Sequence, residues 1–139
     1  MNVKKWFLAG LVGFVVMFIL SGLWYMLIMD AFYREQVGAL MREQYNFIFI
    51  ALGYLVMAFL MSYIYPIGYK GGSPAKEGLR FGVLIGLLVW LSSNLILYGA
   101  HNMTLSATLV DSSWHIVEEG IGGIVIALVY GTASTKSSS

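Results

Sequence analysis

Hydrophobic positions along the chain fall into four long stretches separated by short polar segments. The stretches cover residues 6–29, 46–65, 78–98 and 114–133. Each is close to or above the roughly 20 residues that an α-helix needs to cross the hydrocarbon core of a bilayer. The pattern therefore predicts an all-α integral membrane bundle of four transmembrane helices in a single domain, residues 1–133.

The segment between the first two stretches, residues 30–45, is too polar to span a bilayer. Its apolar residues Tyr33, Val37, Leu40 and Met41 recur at helical spacing, whereas its charged residues fall largely elsewhere. This spacing is typical of a short helix that lies in the membrane interface.

Turn-forming residues mark the other connections. Ser73 and Pro74 suit the cap and the first position of the third transmembrane helix. Residues 99–113 are predicted to form a loop, with the Asp-Ser-Ser of residues 111–113 as the start of the fourth helix. The serine-rich tail, residues 134–139, is predicted to be disordered.

Composition supports a membrane protein and excludes several other classes. The chain is 59% hydrophobic and 11% charged, with a mean hydropathy of +0.79, which lies outside the range of soluble domains. It contains no cysteine, which excludes disulfides, thiolate metal sites and thioether-linked haem. A net charge of +1 argues against nucleic acid as a partner, because such binding needs a concentrated basic face.

The distribution of Lys and Arg predicts the orientation of the helices. Six basic residues fall on one side of the four stretches: Lys4, Lys5, Lys70, Lys76, Arg80 and Lys136. Two, Arg34 and Arg42, fall on the other side. Because basic residues collect on the cytoplasmic side, both termini are predicted to be cytoplasmic.

Most tyrosine and tryptophan residues lie at the ends of the stretches. They are Trp24, Tyr25, Tyr45, Tyr63, Tyr65, Tyr98 and Trp114. These positions are typical of the aromatic belt at a membrane interface. Trp90 is the exception, since it lies within the third stretch, where it is predicted to pack against a helix or to face lipid.

Small residues recur every fourth position on the third and fourth stretches. The residues are Gly78, Gly82 and Gly86 on the third, and Gly123, Ala127 and Gly131 on the fourth. Such stripes let helix backbones approach closely in lipid. They predict a tightly packed bundle, although the same stripes would also suit a homodimer.

Extending the stripe of the fourth helix toward its amino end leads to ionisable residues. The same four-residue step passes from Gly123 to Glu119 and then to His115, with Glu118 one position round the helix. Asn94 and Ser93 fall at a similar depth on the third stretch. We therefore expect a candidate polar cluster of His115, Glu118, Glu119, Asn94 and Ser93 in the outer half of the bundle.

The cluster has a structural and a functional interpretation. As a structural element it would hydrogen-bond between helices. As a functional element it would serve proton-coupled transport or bind a small amphiphile or cation, because ionisable residues within membranes often mark pathways.

The sequence gives weaker support for a metal site, a haem site or a catalytic triad than for the polar cluster. His115 and Glu118 have the spacing of half a carboxylate-bridged dinuclear site, but the remaining ligands are missing, so no metal is predicted. His101 and His115 lie on the same side and are the available haem ligands, yet a hydrogen-bonded histidine is commoner, so no cofactor is predicted. No order of Ser, His and acid indicates a catalytic triad.

Three short motifs resemble those of a family of uncharacterised small bacterial membrane proteins. They are the Gly22-Leu-Trp-Tyr25 end of the first span, the Glu77-Gly78 start of the third, and the Trp114-His115 opening of the fourth before Gly-Gly. The resemblance implies a four-helix protein of the bacterial inner membrane and carries over no catalytic residue.

Together these observations favour a non-enzymatic membrane protein with a structural, accessory or self-associating role. Its expected surroundings are the lipid bilayer, and its expected partners are a second copy or a larger membrane complex. The alternative is a small transporter or ligand-binding protein that uses the polar cluster.

The charge asymmetry generates a topological prediction. Reporter fusions after Ser139 and within residues 70–76 should be active in the cytoplasm, and fusions near Gly38 or Thr104 should be active in the periplasm, because six of eight basic residues lie on the first side. A carboxyl-terminal fusion active in the periplasm would contradict this orientation.

Overall fold

The structure of the chain, a computed structural model, describes residues 1–131. Its helices are α1 (Val3–Gly22), α2 (Asp30–Val37), α3 (Phe47–Gly68), α4 (Pro74–Ile85), α5 (Ser92–Ala100) and α6 (Leu105–Tyr130). A π-helical segment, Leu23–Ile28, continues α1, and a second one, Gly86–Leu91, joins α4 to α5. A 3₁₀ turn, Gly38–Leu40, follows α2. No strand occurs among the described residues.

Four continuous helical stretches are long and apolar enough to cross a membrane. They are Val3–Ile28, Phe47–Gly68, Pro74–Ala100 and Leu105–Tyr130. This confirms the predicted fold class of a four-span helical bundle. Residues 132–133 of the predicted fourth span and the predicted disordered tail, residues 134–139, lie outside the described part of the chain.

The fourth helix begins much earlier than the sequence pattern predicts. It starts at Leu105, where the Thr104 hydroxyl accepts a hydrogen bond from the Ala107 amide at 3.2 Å. Residues 105–113 are therefore helical and not part of a loop, and Asp111 lies well inside the helix. The prediction failed because Ser106, Asp111 and the two serines after it interrupt the apolar pattern in this part of the chain.

The predicted helix between the first two spans is present as α2. Tyr33 points into the protein and is 6% exposed, whereas Arg34 pairs with Asp30 at 2.8 Å on the exposed face. An exposed pair of this kind contributes little stability. The third span begins as predicted, with Ser73 at the cap position and Pro74 in the first turn, but the Ser73 side chain makes no capping hydrogen bond.

Consecutive spans are antiparallel, and α6 is the helix against which the others pack. Of the 18 most apolar consecutive residues in α6, 50% are buried, compared with 17–22% of the corresponding residues in the other three spans. The Trp6 indole of α1 donates to the carbonyl of Phe59 in α3 at 3.1 Å, and Lys5 Nζ donates to the carbonyl of Tyr130 in α6 at 2.6 Å. These bonds join the amino end of α1 to the carboxyl half of α3 and to the carboxyl end of α6.

The glycine stripe of the third span packs directly on the backbone of α6. A Cβ atom added at Gly82 would collide with the Glu119 carbonyl, and one added at Gly86 would lie 2.8 Å from the Ile116 Cα. From the opposite side, a Cβ at Gly123 would lie 2.9 Å from the Gly82 Cα. The glycine stripes therefore serve a contact within the chain.

Gly131, predicted as a packing residue, has a different role. It follows the last residue of α6, has a φ of 71°, and has no atom within 4 Å of its added Cβ. A left-handed conformation of this kind favours glycine and ends a helix. The packing stripe of α6 therefore ends at Ala127.

This contact generates a prediction about stability. We expect Gly82→Ala to lower the free energy of unfolding by about 1–3 kcal/mol, because the added methyl has no space between two backbones. Gly53→Ala is the matched control, since Gly53 is also helical but has no atom within 4 Å of its added Cβ. Thermal unfolding of both variants in one detergent measures the difference, and equal midpoints would contradict a direct backbone contact.

Candidate functional site

Four ionisable residues line one side of α6: Asp111, His115, Glu118 and Glu119. His115 follows Asp111 by four residues, and the two glutamates follow His115 by three and four residues, which places all four on neighbouring turns of one helical face. His115 is 2% exposed, and both glutamates are 0% exposed. Fully buried acidic groups are costly unless they are paired, so their partners decide what the site can do.

His115 and the two glutamates form a compact group. His115 Nδ1 lies 2.9 Å from Glu118 Oε2 and 3.7 Å from Glu119 Oε2. Although the first distance is short, its geometry is not that of a hydrogen bond, and Nδ1 has no hydrogen-bond partner. Glu118 Oε1 and Glu119 Oε2 are likewise buried without a partner. We call these three residues the His-Glu-Glu group.

Aromatic side chains hold this group in place. The Trp90 ring stacks on the His115 ring with centroids 3.6 Å apart and an interplanar angle of 3°. The Trp90 indole N–H donates to Glu119 Oε1 at 2.8 Å, and the Tyr54 hydroxyl donates to Glu118 Oε2 at 3.2 Å. Each glutamate thus has one oxygen that is paired and one that is not.

Asp111 lies at the centre of a second set of hydrogen bonds. It accepts one from Tyr25, one from Tyr33 at 3.2 Å and one from Asn94 Nδ2 at 2.8 Å. The Tyr25 hydroxyl also lies 3.0 Å from His115 Nε2, so it connects Asp111 to the His-Glu-Glu group. Burial raises the pKa of Tyr33 to about 12, which keeps this hydroxyl a donor at neutral pH.

Both π-helical segments contribute an aromatic residue that contacts His115. Tyr25 belongs to Leu23–Ile28, and Trp90 belongs to Gly86–Leu91. π-Helical turns are rare and occur frequently at functional sites. Because they are wider than α-helical turns, they change which residues of the downstream chain face a neighbouring helix.

A cavity of about 540 Å³ opens next to this network. It lies between the carboxyl end of the first span, α2, the amino half of α3 and the amino half of α6, and its volume falls within the range of small-molecule sites. Tyr25, Asp111 and His115 form a polar end. The remaining wall is mainly apolar and aromatic and includes Phe18, Met26, Val37, Phe47 and Ile50.

The predicted cluster is partly reproduced. His115, Glu118 and Glu119 come together, and Asn94 is buried nearby, but Asn94 bonds to Asp111 and to Ser112 Oγ rather than to a glutamate. Ser93 is exposed, because one helical residue turns it about 100° away from Asn94. His101 is also exposed and lies at the end of α5, where its ring is 3.3 Å from the Leu97 carbonyl.

The sequence reasoning missed four residues of the site: Tyr25, Tyr54, Trp90 and Asp111. The four-residue steps that led to His115 also lead to two of them. One further step along α6 reaches Asp111, and one further step beyond Gly86 reaches Trp90. Tyr25 lies at the end of a span, where the interfacial belt is expected, and nothing in the local sequence distinguishes a belt tyrosine from one that faces inward.

The fold and the buried network define a small helical membrane protein with several spans. The chain belongs to the family described as "Predicted membrane protein (DUF2177)", whose model matches residues 6–138. This confirms the resemblance to a membrane protein family of unknown function. No curated protein and no solved structure is significantly similar to the chain.

The network predicts unequal effects of two tryptophan substitutions. Trp90→Phe should destabilise the protein by on the order of 1 kcal/mol, because it retains an aromatic ring over His115 but leaves Glu119 Oε1 without its donor. Trp114→Phe is the control: Trp114 stacks on Trp24 with centroids 4.4 Å apart, and its buried indole N–H has no partner. Unfolding midpoints of the two variants provide the comparison, and a larger loss for Trp114→Phe would contradict the assigned bond.

Proposed function

We propose that the protein is a non-enzymatic membrane protein that binds a small amphiphile in the 540 Å³ cavity. The observation that supports this function best is the division of the cavity wall into one polar end and an apolar remainder. An amphiphile has the same division, so its head would meet Tyr25, Asp111 and His115 while its tail lies along the aromatic wall.

The wall favours a neutral or cationic head group. Asp111 lines the cavity, and none of the described residues that line it is Lys or Arg. An anionic head would lose its hydration without gaining an opposite charge. Several aromatic rings also face the cavity, and these attract a cation electrostatically.

The orientation predicted from Lys and Arg gives the cavity a position in the membrane. With both termini in the cytoplasm, the cavity and its network lie in the outer half of a bacterial inner membrane. A lipid-like molecule in that leaflet would lie at the same depth as the cavity. The proposed ligand would therefore come from the bilayer rather than from the cytosol.

A purely structural or self-associating role has weaker support than ligand binding. The glycine stripes that would suit a homodimer are occupied by the contact between α4 and α6. The hydrogen-bonded network stabilises the bundle, but a stabilising network does not require an adjoining cavity of ligand size. Ligand binding accounts for both the buried network and the cavity beside it.

A substitution that fills the cavity tests the proposal. Gly22 lines the cavity and has no atom within 4 Å of its added Cβ, so Gly22→Leu should occupy the space without a backbone collision. We expect it to weaken binding of dodecyltrimethylammonium to the protein in phosphatidylcholine nanodiscs by about tenfold or more, which corresponds to at least 1.4 kcal/mol. Equilibrium binding of the labelled probe measures the effect.

Gly53→Leu is the matched control, because it adds the same side chain at another open helical glycine that does not line the cavity. It should bind the probe like the wild type. Dodecanoate should bind more weakly than the cationic probe. If Gly22→Leu and Gly53→Leu bind equally while both remain folded, the cavity is not the binding site, and the structural role becomes the better explanation of the network.

A further inference from the structure

Each of the three residues of the His-Glu-Glu group has one buried polar atom without a hydrogen-bond partner. The partners described above use His115 Nε2, Glu118 Oε2 and Glu119 Oε1, whereas His115 Nδ1, Glu118 Oε1 and Glu119 Oε2 are buried without a hydrogen-bond partner. Buried polar atoms without partners are uncommon and each needs an explanation. From these three atoms we propose that His115, Glu118 and Glu119 form a mononuclear binding site for a divalent transition-metal ion, a function beyond the binding of an amphiphile.

The spacing of the donor atoms suits one ion. One nitrogen and one carboxylate oxygen from each glutamate all lie within 4.8 Å of one another. Ligands at about 2.1 Å from an ion are separated by about 3–3.5 Å in octahedral or tetrahedral geometry. Nδ1 lies 3.7 Å from Glu119 Oε2, which is close to this range. It lies 2.9 Å from Glu118 Oε2, the oxygen that Tyr54 contacts, so a rotation of this carboxylate is needed to bring its unpartnered Oε1 to the ion.

The surrounding residues provide the outer hydrogen bonds that metal ligands usually have. Tyr25 contacts the far nitrogen of the imidazole, Tyr54 donates to Glu118, and Trp90 donates to Glu119. Such contacts orient ligands and increase metal affinity. Because each ligand residue already has this contact on one atom, its other atom is free for the ion.

Charge also supports a cation at this position. Two carboxyl groups lie together inside a transmembrane helix, and Asp111 lies 4.0 Å from the far nitrogen of His115. The ion pairs of Lys and Arg in the described part of the chain are elsewhere, between Arg34 and Asp30 and between Arg80 and Glu77. A divalent ion would compensate both glutamates at once. The imidazole ligand favours a transition metal such as Zn²⁺ over Mg²⁺ or Ca²⁺.

Metal analysis of the purified full-length protein tests the site. After chelator treatment, the protein is incubated with Zn²⁺ alone, desalted and analysed by mass spectrometry of the elements. We expect about one ion per chain in the wild type. Glu119→Gln and His115→Gln should each lower the affinity for Zn²⁺ by about tenfold or more, because each removes one ligand.

Glu35→Gln is the control, since Glu35 is an exposed carboxylate on α2, and it should bind Zn²⁺ like the wild type. Unfolding midpoints establish which variants are folded. Cobalt substitution adds a second measurement, because the visible spectrum of bound Co²⁺ should change in His115→Gln. Absence of bound ion in the folded wild type, or binding that is unchanged when all three ligands are replaced, would overturn the proposal.

The outcomes of this experiment and of the amphiphile test can be told apart. Gly22→Leu fills the cavity but replaces none of the three proposed ligands, so it should retain the metal. A protein that binds metal but no amphiphile disproves only the proposed function. A protein that binds the amphiphile but no metal disproves only the metal site.

Discussion

The close approach of α4 to α6 is the constraint on which the polar network depends. Gly82 and Gly86 leave no room for a side chain against the α6 backbone, and this brings the helix axes together. Trp90 follows one step later on the same span. Its ring can lie 3.6 Å from the His115 ring only because the preceding glycines have already brought the two backbones into contact. Glycine packing and the buried acids are therefore parts of one arrangement.

The π-helical segment Gly86–Leu91 keeps this arrangement in register. In an α-helix, positions four residues apart drift by about 40° per step, so a stripe soon turns away from its partner. A wider π turn takes up an additional residue and counteracts the drift. Gly78, Gly86 and Asn94 can thus all face α6, although sixteen residues separate the first from the last.

Periodicity and hydropathy were sufficient to predict the four spans, the glycine contact and the grouping of His115 with two glutamates. They failed where polar residues are buried. Asp111 lowers the hydropathy of the chain before Trp114, which concealed the start of α6, yet inside the bundle its oxygens accept hydrogen bonds from other helices. Tyr25 was missed for a related reason: a tyrosine at the end of a span fits an interface equally well whether it faces lipid or protein.

The imidazole of His115 separates two environments, since Nε2 contacts Tyr25 beside the cavity and Nδ1 faces the glutamates. A neutral imidazole carries one proton, so whatever fixes that proton on one nitrogen also decides whether the other nitrogen donates or accepts. The tautomer of a single side chain thereby links the two environments. An occupant of one environment that prefers one tautomer changes the affinity of the other environment for its own occupant. By thermodynamic reciprocity, the two affinities change by the same factor.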